Sequence, residues 1–407
     1  MAENARSGSG APQSAVLAAN ACAAVGHRTD LLLHRASGSL LAEVSPRVHL
    51  VPLDGRPSLS AVGALVRVAG AGLFGQSLAW RRPDDWIYWS LPALTDYLAS
   101  ARPHLLVAFG MKVGSLNGML AKSRPSPSTL HVSAMSIQAS AWIAQRRRGK
   151  RALVEWYRHC NGIFGCSEGV SRDAERLLGL APGSVSSLFE PVFDALPEPS
   201  APPRHPWLAE RGRGAHRIPV IVSAGRLIAR KDYPTLLRAF AELRARRPAR
   251  LVIFGNGPLA GELAAQAREL GVGDDVDLPG EYADLVREFA GADLFAFASR
   301  AEGLGKVIVE ALAAGLSVAC TDCPSGPREI LGEGRYGALV PVGDADALAE
   351  TMAAELDAPR PRAAQVARAR DFSAPVFVEQ LLGRFASRVG SRPLDAAAHR
   401  AEDRASR

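Results

Sequence analysis

The stretch LFAFASRAEGLGKVIVEALAAGLSVACT, residues 294–321, decides the fold class of this 407-residue chain. Residues 294–298 are a short apolar run of strand type, residues 305–314 have the apolar spacing of a helix, and residues 316–321 are apolar again. A strand, a helix and a second strand in close succession predict parallel strands joined by a helical crossover. The pattern therefore predicts an α/β fold.

The same alternation continues on both sides of this stretch. In the second half, strand candidates lie at residues 218–224, 251–254, 276–278 and 338–341. In the first half they lie at residues 31–34, 48–53, 105–109, 129–133, 162–166 and 184–188. Helical patterns separate most of them, so the sequence predicts two Rossmann-like, doubly wound parallel-sheet domains. Such sheets bind ligands at the carboxyl ends of their strands.

Composition gives the domain boundaries. Residues 196–217 are rich in Pro and Arg and predict a linker between an amino-terminal domain, 1–195, and a second domain, 218–371. Residues 372–390 predict a carboxy-terminal crossover helix. The polar, Ala-rich residues 391–407 predict a disordered tail.

The formal net charge of +7 is spread unevenly along the chain. Residues 1–215 hold 23 Lys and Arg against 15 Asp and Glu, which gives +8, and the remaining residues hold 25 against 26, which gives −1. A basic first half fits an anionic partner such as a membrane face, a lipid phosphate or nucleic acid.

Cysteine usage and hydropathy indicate the compartment. Five cysteines in a chain of this length predict free thiols in a reducing cytoplasm. The sequence has no apolar run long enough to cross a membrane, and its polar start lacks the features of a secretory signal. We therefore expect a cytoplasmic protein, peripheral on the inner face of the plasma membrane if the basic half meets lipid.

Two carboxylates and two glycines stand at the most informative turn, which runs from Glu302 to Glu310. Gly303 and Gly305 leave backbone N–H groups exposed at a helix start, which attracts phosphate. A carboxylate can accept hydrogen bonds from two sugar hydroxyls, which suits Glu302 and Glu310 for a sugar or a ribose. The same residues also fit a solvated amphipathic helix behind a Gly-rich turn.

Arg226 and Lys231 follow the strand candidate at residues 218–224. Cations at that end of a strand could neutralise a departing diphosphate. The alternative is a pair of exposed surface cations. Gly255 begins another strand-to-helix turn, which approaches a ligand or only reverses the chain.

The segment from Trp142 to Arg158 mixes five Lys and Arg residues with Trp and Tyr between its ends. This mixture fits a helix on an anionic membrane surface. It fits equally a solvated helix face with aromatic residues in the core. No nucleic-acid-binding module surrounds it, so we expect no nucleic-acid partner.

Five ordered motifs carry a family resemblance: SAGRLIARKDYPTLLRAF (223–240), LVIFGNGP (251–258), SRAEGLGKVIVEALAAG (299–315), TDCPSGPREIL (321–331) and GALVPVGD (337–344). Together they resemble glycosyltransferase family 4, the group 1 glycosyltransferases, which are retaining enzymes. The resemblance implies a GT-B fold, in which two facing Rossmann-like domains enclose a cleft. It is strongest between residues 220 and 342 and weak before about residue 160.

The resemblance also implies roles for individual residues. Arg226 and Lys231 would contact the diphosphate, Glu302 the donor sugar and Glu310 the ribose, while His131 lies near the position of a family histidine. Further donor contacts would come from Gly10, Gly225, Gly255, Gly303, Leu304 and Gly305. The family acts without a metal ion, so no metal and no other cofactor is expected beside the nucleotide-diphosphate sugar.

Three features depart from the family pattern. The family begins with an apolar strand, and residues 1–9 contain none, so the first strand is either upstream or missing. His131 falls within a strand candidate, where its side chain could point into the core. Glu190 stands where family members have Asn.

The function predicted from these residues is retaining transfer of a hexose or N-acetylhexosamine to a glycan or lipid-linked acceptor, in the biosynthesis of a surface polysaccharide such as lipopolysaccharide. One alternative is a catalytically impaired protein that binds a nucleotide sugar without turnover. A sugar-nucleotide epimerase of similar shape is a less favoured alternative, because the Glu302 and Glu310 motif does not fit it. The least favoured alternative is a nucleic-acid-binding protein.

Overall fold

Two α/β units make up the described part of the chain. The computed structural model describes residues 10–53, 87, 89–123, 128–144, 150–198, 201–210, 218–385 and 387. The first unit takes residues up to Asp194 together with the chain from Ala374 onward, and the second takes Ala195–Ser373. The predicted tail at 391–407 lies outside the described residues.

Parallel strands and helices alternate in the first unit. Its helices are α1 (Gly10–Ala24), α2 (Leu91–Ala101), α3 (Met111–Ser123), α4 (Ala139–Ala144), α5 (Lys150–Arg158) and α6 (Glu168–Leu178). Its strands are β1 (Thr29–Leu33), β2 (Val48–Pro52), β3 (Leu105–Phe109), β4 (Leu130–Met135), β5 (Gly162–Gly165) and β6 (Ser186–Ser187).

The second unit contains one doubly wound sheet. Its helices are α7 (Pro206–Ala209), α8 (Tyr233–Arg246), α9 (Ala260–Glu269), α10 (Leu285–Phe289), α11 (Lys306–Ala313), α12 (Pro327–Ile330), α13 (Ala345–Asp357) and α14 (Arg362–Ala369). Its strands are β7 (Val220–Ala224), β8 (Arg250–Phe254), β9 (Val276–Gly280), β10 (Leu294–Phe297), β11 (Ser317–Thr321) and β12 (Ala338–Val340).

The strand order of the second sheet is β12-β11-β10-β7-β8-β9, and the pairings are parallel. Its first strand, β7, is therefore central. All residues of β7, β10 and β11 are buried, because helices cover both faces of the sheet. The parallel α/β fold predicted for this half is confirmed.

The first unit differs from the single sheet that the sequence predicts. Its strands form two separate groups, β1-β2 and β3-β4-β5-β6, each parallel. Along β1 successive side chains enter opposite cores: Leu31 and Leu33 belong to one apolar cluster and Leu32 to another. Both faces of β1 are thus covered, as is usual for a strand in a parallel sheet.

Part of the predicted linker packs on the second unit. His205 is buried and its Nε2 lies 2.8 Å from Oδ2 of Asp277. The backbone N–H groups of Arg204 and His205 both donate to the Glu288 carboxylate, at 2.9 and 3.0 Å. Residues 201–210 are therefore held to this unit by specific hydrogen bonds.

The last described helix, α15 (Ala374–Phe385), completes the core of the first unit. The ring of Phe377 on this helix lies 6.2 Å from that of Phe109 on β3 and 5.8 Å from that of Phe164 on β5. The backbone N–H of Ala374 donates to the carbonyl of Phe193 at 2.8 Å. The chain thus returns to its first unit at its end.

We expect Phe377→Ala to lower the free energy of unfolding of the first unit by about 3–5 kcal/mol, because it empties a fully buried aromatic site. Chemical denaturation followed by tryptophan fluorescence measures this change. Gln380→Ala, at an exposed position of the same helix, is the matched control and should leave stability unchanged. Equal stability of the two variants would contradict the packing of α15 described above.

Candidate functional site

Three loops meet at the carboxyl edge of the second sheet, because β8, β7 and β10 are neighbours. The loop after β7 is joined to the loop after β8: the N–H of Gly225 donates to the carbonyl of Phe254 at 2.9 Å, and that of Leu227 to Asn256 at 2.9 Å. The same loop is joined to the one after β10, since the N–H of Arg300 donates to the carbonyl of Arg230 at 2.9 Å.

An ion cluster around the buried carboxylate of Glu302 joins the loops that follow β7 and β10. Nζ of Lys231 lies 2.8 Å from Oε1 of Glu302, and a guanidinium nitrogen of Arg230 lies 3.1 Å from Oε2. The Ser299 hydroxyl also donates to Oε1 of Glu302, at 2.6 Å. Glu302 itself is only 8% exposed. The three donors together hold its carboxylate in one orientation.

The charge state of Glu302 follows from these neighbours. Burial acts to raise the pKa of its carboxyl, but the charges of Lys231 and Arg230 and the hydrogen bonds from Lys231 and Ser299 outweigh burial and hold that pKa below its ordinary value. Glu302 is therefore an ionised acceptor at neutral pH.

Helix α11 begins directly after this cluster. Its N-cap residue is Gly305, with a φ of 91°, a left-handed conformation that glycine adopts readily. Glycine brings no side-chain acceptor, so α11 starts without a side-chain cap. Gly303, Leu304 and Gly305 are all buried and lead from Glu302 into the helix. The helix start has the dipole that favours an anionic group.

Glu310 lies in the second turn of α11, as the sequence predicts, and is partly buried. Burial raises the pKa of Glu310 to about 7, and the positive charges of Lys306 and Lys231 oppose this only in part. The two carboxylates of the motif therefore have pKa values displaced in opposite directions.

Arg226 is exposed, and within the described ranges it forms no ion pair. It follows Gly225, whose Cα is so close to Lys231 that an added Cβ would lie 3.1 Å from Cε of that lysine. A Cβ on Gly255 would collide with the carbonyl oxygen of Gly225. Glycine at these positions thus allows the loops after β7 and β8 to touch.

His131, which the resemblance places near a family histidine, lies inside the core of the first unit. It is the second residue of β4 in the first unit, 3% exposed, so it lies near the amino end of the strand and not at the ligand-binding carboxyl end. Its Nδ1 lies 2.8 Å from Oδ1 of Asn117, and burial lowers its pKa to about 4. His131 is a neutral core residue.

Glu190 lies close to the carboxyl end of β4. This buried carboxylate accepts a hydrogen bond from Ser14 at 2.7 Å and another from Ser136, the residue after β4. Ser14 lies in the first turns of α1, where its hydroxyl also approaches the carbonyl of Gly10 at 2.9 Å. Gly10 is the exposed first residue of α1, so the predicted donor-loop glycine stands at this end of the first unit.

The predicted membrane segment is corrected in part. Trp156 and Tyr157 are each 1% exposed, and the Tyr157 hydroxyl donates to the carbonyl of Met111 at 2.6 Å. These two aromatic residues belong to the core and cannot contact lipid. The arginines at 146–148 lie outside the described residues. Among the described helices none is both long and apolar enough to cross a membrane.

Sequence reasoning missed Arg230 and Ser299 as members of the cluster. The signal for Arg230 was present, because it directly precedes Lys231 in a loop with three cations. The spacing alone could not show which of the three faces Glu302. For Ser299 the sequence holds no signal, since a serine after a strand is common.

All five cysteines are free thiols, as the sequence predicts.

Comparison with known proteins adds a family match for the second unit. Residues 211–372 match the family model of glycosyl transferases group 1. This range covers nearly the whole second unit and includes every predicted site residue except Gly10 and His131.

Two relatives align with parts of the chain. An N-acetylgalactosamine-N,N'-diacetylbacillosaminyl-diphospho-undecaprenol 4-alpha-N-acetylgalactosaminyltransferase of Campylobacter jejuni is 37% identical over 34% of this chain. A GDP-mannose-dependent alpha-(1-6)-phosphatidylinositol monomannoside mannosyltransferase of Mycolicibacterium smegmatis is 34% identical over 58% of it. The alignments span 37% and 61% of these relatives' own lengths.

Solved structures show the fold over almost the full length. Anabaena HepE in complex with UDP and glucose has a TM-score of 0.69 at 17% identity, covering 95% of this chain and 99% of HepE. A glycosyltransferase from Rickettsia africae has a TM-score of 0.70 at 12% identity, covering 95% and 97%. The chain has the GT-B type of α/β fold, as predicted.

The two predicted cations should differ in their effect on stability. Lys231→Met removes one partner of a buried ion pair and leaves Arg230 as the remaining cation beside Glu302, so we expect a loss of about 2 kcal/mol in unfolding free energy. Arg226→Ala removes an exposed charge and should leave stability within about 0.5 kcal/mol. Urea denaturation at pH 7 measures both, and an equal effect of the two changes would argue against the cluster.

Proposed function

We propose that this protein is a retaining glycosyltransferase. It would move a hexose or N-acetylhexosamine from a nucleotide-diphosphate sugar to a glycan or lipid-linked acceptor in the biosynthesis of a surface polysaccharide. The observation that carries the proposal is the cluster of Lys231 and Glu302 beside the start of α11, in a unit that matches the group 1 glycosyltransferases.

Transfer breaks the bond between the anomeric carbon and the diphosphate, so negative charge grows on the departing phosphate. Lys231, Arg226 and the amino end of α11 supply positive potential for that charge. The acceptor oxygen forms its bond on the face that the nucleotide leaves, and its proton passes to the departing phosphate. These cations would do what a metal ion does in other transferases, so the proposed reaction is independent of metal.

Glu302 would orient the donor sugar. Its carboxylate is ionised and already fixed by Lys231, Arg230 and Ser299, so it loses little conformational freedom when a sugar hydroxyl donates to it. Glu310 would accept the two hydroxyls of the ribose.

The acceptor class rests on the relatives. Their names specify a diphospho-undecaprenol-linked sugar in one case and a phosphatidylinositol mannoside in the other. Another relative, from Rhizobium meliloti, is a lipopolysaccharide core biosynthesis glycosyltransferase. An acceptor with a lipid phosphate also fits the net charge of +8 in residues 1–215, and we assign acceptor binding to the first unit. Cytoplasmic activity at the inner membrane face follows as part of the same proposal.

Arg226→Ala should lower kcat/KM for sugar transfer by roughly a factor of 100–1,000, because it removes a charge that acts on the departing phosphate. A thermal-shift screen of nucleotide diphosphates first selects the donor. Transfer of its radiolabelled sugar to lipid in a membrane extract then gives the rate. Arg246→Ala, an exposed arginine at the far end of α8, is the control and should retain full activity. Wild-type transfer by the Arg226 variant would refute the assignment.

Donor affinity should depend on pH through Glu310. If the ionised carboxylate binds the ribose, a pKa of about 7 makes affinity fall as pH drops. We expect about a tenfold loss between pH 8 and pH 6. Calorimetry with UDP-glucose tests this, because its pyrophosphate does not titrate in that range. Glu310→Gln should bind more weakly and without this pH dependence; a variant that keeps the dependence would exclude Glu310 as its source.

The burial of His131 favours one second candidate, a protein that binds a nucleotide sugar without transferring it. This candidate predicts donor binding in the calorimeter but no labelled lipid or polymer from membrane extract. Labelled product above that of the Arg226 variant would eliminate it.

A further inference from the structure

Tyr233 carries a buried hydroxyl group without a hydrogen-bond partner. The residue is 2% exposed and begins helix α8, and its ring belongs to the same apolar cluster as Ile221 and Leu236. Within the described residues, no donor or acceptor lies in hydrogen-bond reach of its Oη. An unsatisfied buried hydroxyl costs free energy, so its presence in a fold calls for a physical explanation.

Another buried tyrosine shows the more common arrangement. Tyr157 in the first unit is 1% exposed, and its hydroxyl donates to the carbonyl of Met111 at 2.6 Å. At position 233 a phenylalanine would pack its ring in the same way and would bury no unsatisfied oxygen. Packing therefore does not explain the hydroxyl of Tyr233.

The surroundings of this hydroxyl belong to the candidate site. A Cβ added to Gly225 would lie 3.2 Å from Oη of Tyr233, 3.1 Å from Cε of Lys231 and 3.4 Å from Nζ of Lys231. The tyrosine hydroxyl and the lysine ammonium group therefore border the same side of Gly225. Since glycine has no side chain, a ligand atom that approaches its backbone from this side meets both polar groups.

Lys231 has hydrogen-bonding capacity beyond its pairing with Glu302. Its ammonium group carries three N–H donors. Among the described residues, it donates to Oε1 of Glu302 at 2.8 Å, and the ring of Phe297 lies 4.9 Å from Nζ. Lys231 can therefore donate to a further acceptor at the side of Gly225.

The charges of this pair select the kind of ligand. Burial and the negative charge of Glu302 both raise the pKa of the Tyr233 hydroxyl, so this group stays protonated and able to donate at neutral pH. Lys231 contributes a positive charge, as its ion pair with Glu302 shows. A protonated hydroxyl beside an ammonium group offers hydrogens and positive potential, which suits an anionic oxygen.

We propose that Tyr233 is a donor-binding residue whose hydroxyl, together with Nζ of Lys231, binds one oxygen of the phosphate group next to the transferred sugar. This inference rests on the proposed function. That phosphate is the one concerned because Lys231 pairs with Glu302, to which the proposed function assigns the sugar. The phosphate oxygen supplies the partner that Oη lacks in the free protein.

Movement of Lys231 would give the phosphate access to this buried hydroxyl. The lysine borders the same side of Gly225, and its four-carbon stem is flexible. When a phosphate attracts Nζ, the lysine shifts and the space beside Gly225 widens. Negative charge then grows on the phosphate as its bond to the sugar breaks, so the hydrogen bond from Tyr233 becomes stronger in the transition state.

Tyr233→Phe tests the proposal, because it removes only the hydroxyl group. UDP, GDP, ADP and dTDP are titrated into the full chain by calorimetry, and the one that binds most tightly is compared with its nucleoside monophosphate. We expect the variant to bind the diphosphate about tenfold more weakly, since a hydrogen bond to a charged group is lost. Its affinity for the monophosphate, which lacks the phosphate concerned, should stay unchanged.

The matched control is Tyr157→Phe, which removes the hydroxyl of an equally buried tyrosine that has a protein partner. This control should melt at a lower temperature than the wild type and keep its diphosphate affinity. Without nucleotide, Tyr233→Phe should melt no lower than the wild type, because its hydroxyl has no partner to lose.

Two results would overturn the proposal while the transferase assignment stands. One is equal diphosphate affinity of Tyr233→Phe and the wild type. The other is an equal loss of affinity for diphosphate and monophosphate together with a lower melting temperature, which would show a structural role. A wild type that binds none of the four diphosphates would overturn both the proposed function and the role of Tyr233.

Discussion

The pairing of Lys231 with Glu302 is the interaction on which the second unit's edge depends. It connects the loop after β7 to the loop after β10, and the hydrogen bond from Arg300 to the Arg230 carbonyl runs beside it. A buried ion pair costs desolvation free energy, so its presence is weak evidence that it stabilises the fold. Here the pair fixes where Gly303 and Gly305 lie, and thus where α11 begins.

Glu302 and Glu310 belong to one motif, yet their surroundings shift the pKa values of their carboxyl groups in opposite directions. Glu302 has two cations within 3.1 Å and a lowered pKa, whereas Glu310, one helix segment away, has a pKa of about 7 because burial dominates. Groups whose pKa values are pushed apart at one edge of a sheet are typical of binding and catalytic sites. Under the proposed function, this difference in pKa would suit Glu302 to orient the donor sugar as an ionised carboxylate and would make ribose binding by Glu310 depend on pH.

Much of the second unit could be predicted from the sequence, because each strand there is a short apolar run and Gly or Pro marks most turns. The order of motifs also placed Lys231 and Glu302 at one sheet edge. The first unit was less predictable. Periodicity does not tell whether His131 points to the core, since β4 is apolar and buried on both faces. Trp156 lies near several arginines, a pattern that fits an aromatic residue facing lipid as well as one facing the core. A pattern of strands also cannot show that β1 and β3 fail to pair, because pairing is a property of distant segments.

The return of α15 to the first unit has a consequence for the order of events on the ribosome. Phe377 and Phe385 belong to the same apolar cluster as Val16 and Leu31. The first unit therefore cannot complete its interior until α15 has been synthesised. The intervening unit, continuous from Ala195 to Ser373, is free to fold earlier. We therefore expect the second unit to fold before the first during synthesis, against the usual order in which the amino-terminal domain folds first.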